Sequence, residues 1–387
     1  MNDARGRIVR NGERGQVLVI TVFAIVVLLA AVGLAVDGGT AYLERRRMQN
    51  AADASALAGT RRLAEAICGS QSASATDAAI YAEVLSYAQS NGVQDASGVE
   101  AEYVRFDGVD TTPFDPPVLV GGGATPNGAA GVRVTSAITR STYFLGLIGL
   151  DTTGARASAT AVAGPPLTGG GMRPFGVPLE VARATGVGGC FTSNFKHCDV
   201  DKPDSCWIKD DDENVVGQHR NWLNLNHVWN QGEASASFPR ATGSSGNAAQ
   251  LKSWMRNGWD GTLYADCYWS AGCRYGDFIH AKPGTNSSVI GETPINEEFV
   301  VPVFDVVPHY STIPSPKASA VPQGGDYYYH IVGFLTVVVP PGGANQGGGT
   351  IRMCVRNAIW GQGQPNPNTG FGNNVCAAHT MVVALWK

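Results

Sequence analysis

At 387 residues, with 44% hydrophobic and 16% charged side chains, the chain has the composition of a globular protein of two or three folded units. A formal net charge of -4, with no basic region standing out from the background, excludes a polyanion-binding protein, so no nucleic-acid partner is expected. Gly and Pro, 49 and 21 in number, cluster after Gly164, which predicts short strands joined by turns there and helix concentrated in the first third.

Residues 1–15 form a short N-terminus with Arg5, Arg7, Arg10 and Arg14 against Asp3 and Glu13. The following run, VLVITVFAIVVLLAAVGLAV, is 20 residues without a charge. At about 1.5 Å rise per residue it matches a hydrocarbon layer of roughly 30 Å, so residues 16–36 are read as a transmembrane helix. The basic flank places the N-terminus in the cytoplasm and the rest of the chain outside it. Arg45, Arg46 and Arg47 oppose that rule. They begin about two turns beyond the span, where a continuing helix holds them at or above the headgroups. The alternative is a cleaved signal peptide ending at the small residues Gly33 and Ala35, but its apolar core would be only about 7 to 15 residues.

Residues 37–67 read as a stalk helix outside the membrane, with Gly38 and Gly39 as a hinge at its start. Met48, Ala52, Ala56, Gly59 and Leu63 fall on one stripe at helical spacing. Its Ala and Gly members would let a second helix approach closely, so the stripe is the expected partner-helix face. Residues 70–164 read as a small α/β unit on the stalk. It contains the helix ATDAAIYAEVLSYAQSNG, stopped by Asn91-Gly92, and the strands VEAEYVRFDG, GVRVTSAITR and GARASATAVAG, with STYFLGLIGL as a short buried helix before the last. GPPLTGGGMRP marks a Gly/Pro linker over residues 165–174. Residues 175–387 read as a mainly antiparallel β domain, so the fold class is α+β. Its eight tryptophans supply core or an exposed binding face.

Seven of the eight cysteines lie in that β domain and Cys68 ends the stalk, a distribution suited to an oxidising compartment and disulfides. The plausible local pairs are Cys267 with Cys273 and Cys354 with Cys376. HExxH, GxSxG, a Walker loop and paired CxxC are all missing, so no catalytic residue, cofactor or metal site is assigned and the chain is read as a non-enzyme. The acidic stretch CDVDKPDSCWIKDDDEN has calcium-type oxygens without EF-hand spacing and reads as a solvated loop. His197 with Cys190, Cys198 and Cys206 imitates a zinc cluster, yet thiols outside the cytoplasm more often end in disulfides.

The segment RGQVLVITVFAIVVLLAAVGLAVDGGTAYLERRRMQNAADASALAGTRRL resembles the N-terminal part of the TadE/TadG-like proteins of Flp (tight-adherence) pilus assembly. The resemblance rests on Arg-Gly before the span, Ala-Val-Asp-Gly at its outer end and Gln-Asn-Ala-Ala-Asp-Ala-x-Ala-Leu-Ala-Gly beyond the arginines. FLGLIGLDTTGARASATAVAG, RPFGVPL, YGDFIHAKPG and YYYHIVGF are similar to later parts of such proteins. The family positions are Asp37, Gln49, Asn50, Asp53, Ala54, Leu57, Ala58 and Gly59. The resemblance implies a single-pass membrane protein, embedded in lipid, that acts as a pilus-assembly or minor pilin-like structural component. Its partners would be other pilus-assembly or envelope proteins, met through the N-terminal helix. The alternatives are an anchored adhesin whose β domain binds glycan or protein, and a secreted hydrolase. Two departures bear on this. The prepilin Glu expected five positions after the cleavage glycine is Ile20 when counted from Gly15, which argues against prepilin processing. The Asp-x-Ser-x-Ser metal motif of some larger members is broken at Leu57 after Asp53-Ala-Ser55. Asp37, at the membrane exit, is expected to be solvated or paired rather than buried, either marking the depth of the helix or meeting a cationic partner; the alternative is a plain helix boundary next to two glycines. Asp53 either hydrogen-bonds locally to Gln49 and Asn50 or sets register with a partner helix.

Overall fold

The computed structural model describes residues 13–67, 71–195, 208–210, 215–217, 222–230, 247–265, 276–282, 287–305, 328–356, 358–360, 365–366, 370–371 and 380–386. The fold class is α+β, with a long N-terminal helix and mainly antiparallel sheets. Helix α1 (Glu13–Ile67) is continuous for 55 residues. It passes through Gly38 and Gly39 without the expected hinge. Each glycine costs about 1 kcal/mol against alanine in a helix, and the flanking apolar and Ala-rich runs propagate the helix across them. The inner half of α1 is apolar and unpacked, with Leu18, Phe23, Val27 and Leu29 all exposed. This helix is long and apolar enough to cross a membrane, consistent with single-pass anchoring. Its outer half is embedded in the body.

Helix α2 (Ala73–Ser90) starts where the Ser72 Oγ accepts the Ala75 N–H at 3.3 Å. It stops at Asn91, followed by Gly92 at a positive φ of 97°. α2 lies on α1 through Ile80, Val84 and Ala88. The two helices meet so closely at Gly59 that a Cβ there would come within 2.6 Å of a Val84 methyl.

Behind α1 stands a six-stranded sheet containing β1 (Val99–Phe106), β2 (Thr111–Pro113), β3 (Gly131–Ser141) and β4 (Thr152–Gly164). From one edge its order is Ala358–Trp360, Thr380–Trp386, β4, β3, β1, β2. β3 and β4 pair without interruption from Gly131 opposite Val162 to Ser141 opposite Thr152, forming a long hairpin. Thr60 joins helix to sheet: its Oγ1 donates to the Ala161 carbonyl and accepts the Val132 N–H, both at 3.2 Å. Asp77 of α2 is buried and accepts from the Tyr103 hydroxyl at 2.7 Å and the amides of Gly121 and Gly123 at 2.9 and 2.7 Å. Burial pushes the Tyr103 phenol well above its ordinary range, with the neighbouring Asp77 adding to the shift.

A ten-stranded sheet occupies the second half of the chain, with Tyr328–Val338 paired to Glu298–Phe304, Asp277–Lys282 and Thr350–Val355. Phe175, Phe191, Trp222, Tyr329 and Phe334 are among the largest fully buried side chains of its core. Within the stretch read as a linker, Thr168–Met172 forms a strand with Trp259–Tyr264. The Thr380 Oγ1, on a strand of the first sheet, accepts the Thr336 N–H of the second at 2.9 Å. The expected Cys354–Cys376 bridge is replaced by Cys190–Cys354. These two residues lie directly opposite in adjacent antiparallel strands, a juxtaposition that sequence distance does not reveal. Cys267, Cys273 and Cys376 lie outside the described residues, as do His197, Cys198, Cys206 and most of the acidic stretch.

Candidate functional site

The uninterrupted β3–β4 pairing carries the hairpin tip, residues 142–151, alongside the outer end of the apolar part of α1. There the Asp37 carboxylate accepts three successive backbone N–H groups. Oδ1 takes Tyr143 at 2.8 Å, and Oδ2 takes Phe144 at 2.9 Å and Leu145 at 2.7 Å. The amides cluster because the chain turns into a short 3-10 helix at Leu145–Ile148, whose first amides have no carbonyl partner of their own. Burial acts to raise the Asp37 carboxyl, and the three amide donors outweigh it, holding the group below the ordinary carboxylate range. Asp37 is therefore buried, contrary to the expectation from its place in the sequence, and its partners are backbone amides rather than a cation. It is 2% exposed and clamps the hairpin tip to the helix.

Just inside Asp37, Gly33 faces Phe144 so closely that a Cβ would lie 2.8 Å from the Phe144 Cβ. Further internal bonds hold the tip. Thr142 donates its N–H to the Asp151 carbonyl at 3.0 Å and its hydroxyl to the Leu150 carbonyl at 2.6 Å, and Leu150 donates its own N–H to the Leu145 carbonyl at 3.1 Å. Gly149 makes the turn at φ 86°. STYFLGLIGL is thus not a buried helix: Tyr143 is 73%, Phe144 42% and Leu150 55% exposed. Above the clamp, Glu44 lies 3.1 Å from the Arg47 guanidinium and 3.7 Å from that of Arg140, while Arg45 and Arg46 are exposed.

The stripe expected to receive a partner helix is already covered. Met48, Ala52, Ala56 and Leu63 are fully buried and Gly59 is buried with them, against α2 and the first sheet. Small residues on this face do permit close approach, but the helix that uses it belongs to the same chain. The other family positions lie around the helix from that stripe. Gln49 and Asn50 are exposed, and Asp53, Ala54, Leu57 and Ala58 are half-buried. Gln49 Nε2 donates to Asp53 Oδ1 at 2.7 Å, the local bond that i,i+4 spacing allows. Sequence reasoning passed over Tyr143, Phe144 and Gly33 as functional residues. The uncharged run after β3 was the available signal, but only its docking to Asp37 places it beside the end of the apolar run of α1.

Among the described residues no group of three or more His, Cys, Asp or Glu side chains is placed to hold a metal ion. No curated protein matches the chain, and no solved structure does. Residues 15–64, which contain Gly33, the Asp37 clamp and both faces of the stalk, match the family model of TadE/G-like Flp pilus-assembly proteins, the same family that the N-terminal sequence resembles.

Proposed function

We propose that this chain is a structural component of Flp pilus assembly that works by protein–protein contact in the cell envelope. Residues 1–15 stand in the cytoplasm, residues 16–36 span the membrane, and residues 37–67 carry the folded body outside it. The basic N-terminal flank supports this orientation. The Cys190–Cys354 disulfide suits the oxidising side of a membrane. The observation that carries the reading is the division of the family-matched helix. Its small-residue stripe is consumed by the chain's own body, while Gln49 and Asn50 remain exposed and Asp53, Ala54 and Ala58 stay half-exposed beside them. A surface of short side chains with a few fixed polar groups suits close contact with another helix of the assembly machinery. Trp222, Trp254 and Trp259 lie in the core, so they lend no exposed aromatic face to the adhesin alternative.

The test is the pair Ala54→Arg and Ala58→Arg in the full chain. Both positions are half-buried, so each variant is first checked for a normal level in the membrane and a melting temperature close to that of the wild type. Co-purification with pilus-assembly proteins, and the pili themselves, should be lost. Normal piliation by the stable variant would sink the proposal.

A further inference from the structure

The hairpin tip is an apolar surface with a fixed address. Residues 141–150, STYFLGLIGL, carry no charge, and Tyr143, Phe144 and Leu150 project from the body. Phe144 packs against Gly33, which lies three residues inside Val36, the last residue of the apolar span. At about 1.5 Å per residue that is roughly 4.5 Å into the apolar side of the boundary. Because the Asp37 clamp holds the tip at this depth, any bilayer that covers the span through Val36 also reaches Phe144.

A loop entering a low-dielectric layer must have its backbone donors satisfied, since each unpaired group there costs several kcal/mol. This tip meets the requirement at six positions. The amides of Tyr143, Phe144 and Leu145 are taken by Asp37, and those of Thr142, Gly149 and Leu150 by carbonyls of the tip itself. The side-chain types fit as well, with a tyrosine at the rim beside phenylalanine and leucine, the mixture that membrane interfaces favour.

We propose that the β3–β4 hairpin tip is a second membrane-contact element, with Tyr143, Phe144 and Leu150 seated in the lipid interface of the leaflet from which α1 emerges. Its partner is lipid at the boundary between headgroups and acyl chains. Two attachment points, the helix and the tip, prevent the body from swivelling about the stalk and fix which way the Ala54 and Ala58 face points. The inference rests on the membrane-anchor reading of residues 16–36.

The experiment places a photo-crosslinking side chain at single positions of the full chain, reconstituted in vesicles of phosphatidylethanolamine and phosphatidylglycerol. Tyr143→p-benzoylphenylalanine is the probe. Phe23, exposed in mid-span, is the positive control, and Val109, in the turn at the opposite end of the sheet, is the negative one. After irradiation, mass spectrometry should find lipid adducts at position 143 within a few-fold of those at position 23, and none at position 109. Lipid adducts at 23 with none at 143, or a protein–protein crosslink at 143, overturns the inference while leaving the anchor intact. No lipid adduct at either position overturns the anchor reading and this inference with it.

Discussion

Asp37 shows how one carboxylate can organise a junction between a membrane helix and a folded body. Its three acceptor bonds go to consecutive amides of a segment more than a hundred residues away in sequence, so the helix and the hairpin tip cannot separate without leaving those donors unpaired. The carboxyl is depressed in the fold relative to an ordinary value of about 3.9. The stabilisation it brings is therefore fully present above that value and is lost as pH falls through the lower, folded value. Asp37→Asn keeps the shape but leaves one carbonyl oxygen where three amides need acceptors. The variant should melt below the wild type at neutral pH, and the gap should close as pH falls through the depressed folded value and the wild-type carboxyl takes its proton. Asp107 is also depressed, by the amides of Asp110 and Val109, but it is common to both proteins and cancels in the comparison. A gap that stays constant from neutral to acid pH would remove Asp37 as the source.

At the scale of elements, α1 is held by packing and by a few buried polar bonds. Gly59 is the closest point, where the absent Cβ makes room for Val84. Alanine there gains about 1 kcal/mol of helix propensity but forces an overpacked contact that costs about 1 to 3 kcal/mol. Gly59→Ala should therefore be net destabilising by about 1 kcal/mol in chemical denaturation. Combined with Val84→Ala, which vacates the space, the double variant should lose less than the sum of the singles by about 1 kcal/mol. Strict additivity would mean that Gly59 and Val84 do not meet as described. The same geometry explains why the stripe of small residues was legible in sequence as a close-packing face while its partner was not. Periodicity says that a face is apolar and narrow, but it carries no information about which element covers it.

Across the whole molecule, the Cys190–Cys354 bond closes a segment with a sequence separation of 164. Loop-closure entropy on that scale corresponds to about 5 kcal/mol relative to an unconstrained denatured chain. Replacing both cysteines by serine should lower the stability of the β-rich body by an amount approaching this, read by urea denaturation through the summed tryptophan fluorescence, since all eight tryptophans lie in that half of the chain. An unchanged midpoint would show that the bond adds nothing beyond the strand pairing around it. The last described strand, Thr380–Trp386, returns to the first sheet beside β4, so the sheet that backs the stalk is completed by the far end of the chain. Trp386 packs edge-on to Phe106 at 4.7 Å between ring centres, which binds that return to β1.

By itself the sequence determined the features that depend on local pattern and solvent preference. An uncharged run of 20 residues, its basic flank, the Ala/Gly stripe, the Asn91-Gly92 stop and the change to turn-linked strands after Gly164 were all legible, because each depends on neighbours within a few turns or strands. The family match over residues 15–64 was legible for the same reason, since it lies within one helix. Only the tertiary structure decided that Asp37 is buried against three amides, that the stripe is covered by the chain's own helix α2 and first sheet, that Cys354 joins Cys190, and that an aromatic hairpin tip lies beside the outer end of the apolar run. Each of these is a contact between segments distant in sequence, and such contacts are selected by the shape and burial of the complete fold rather than by local propensity.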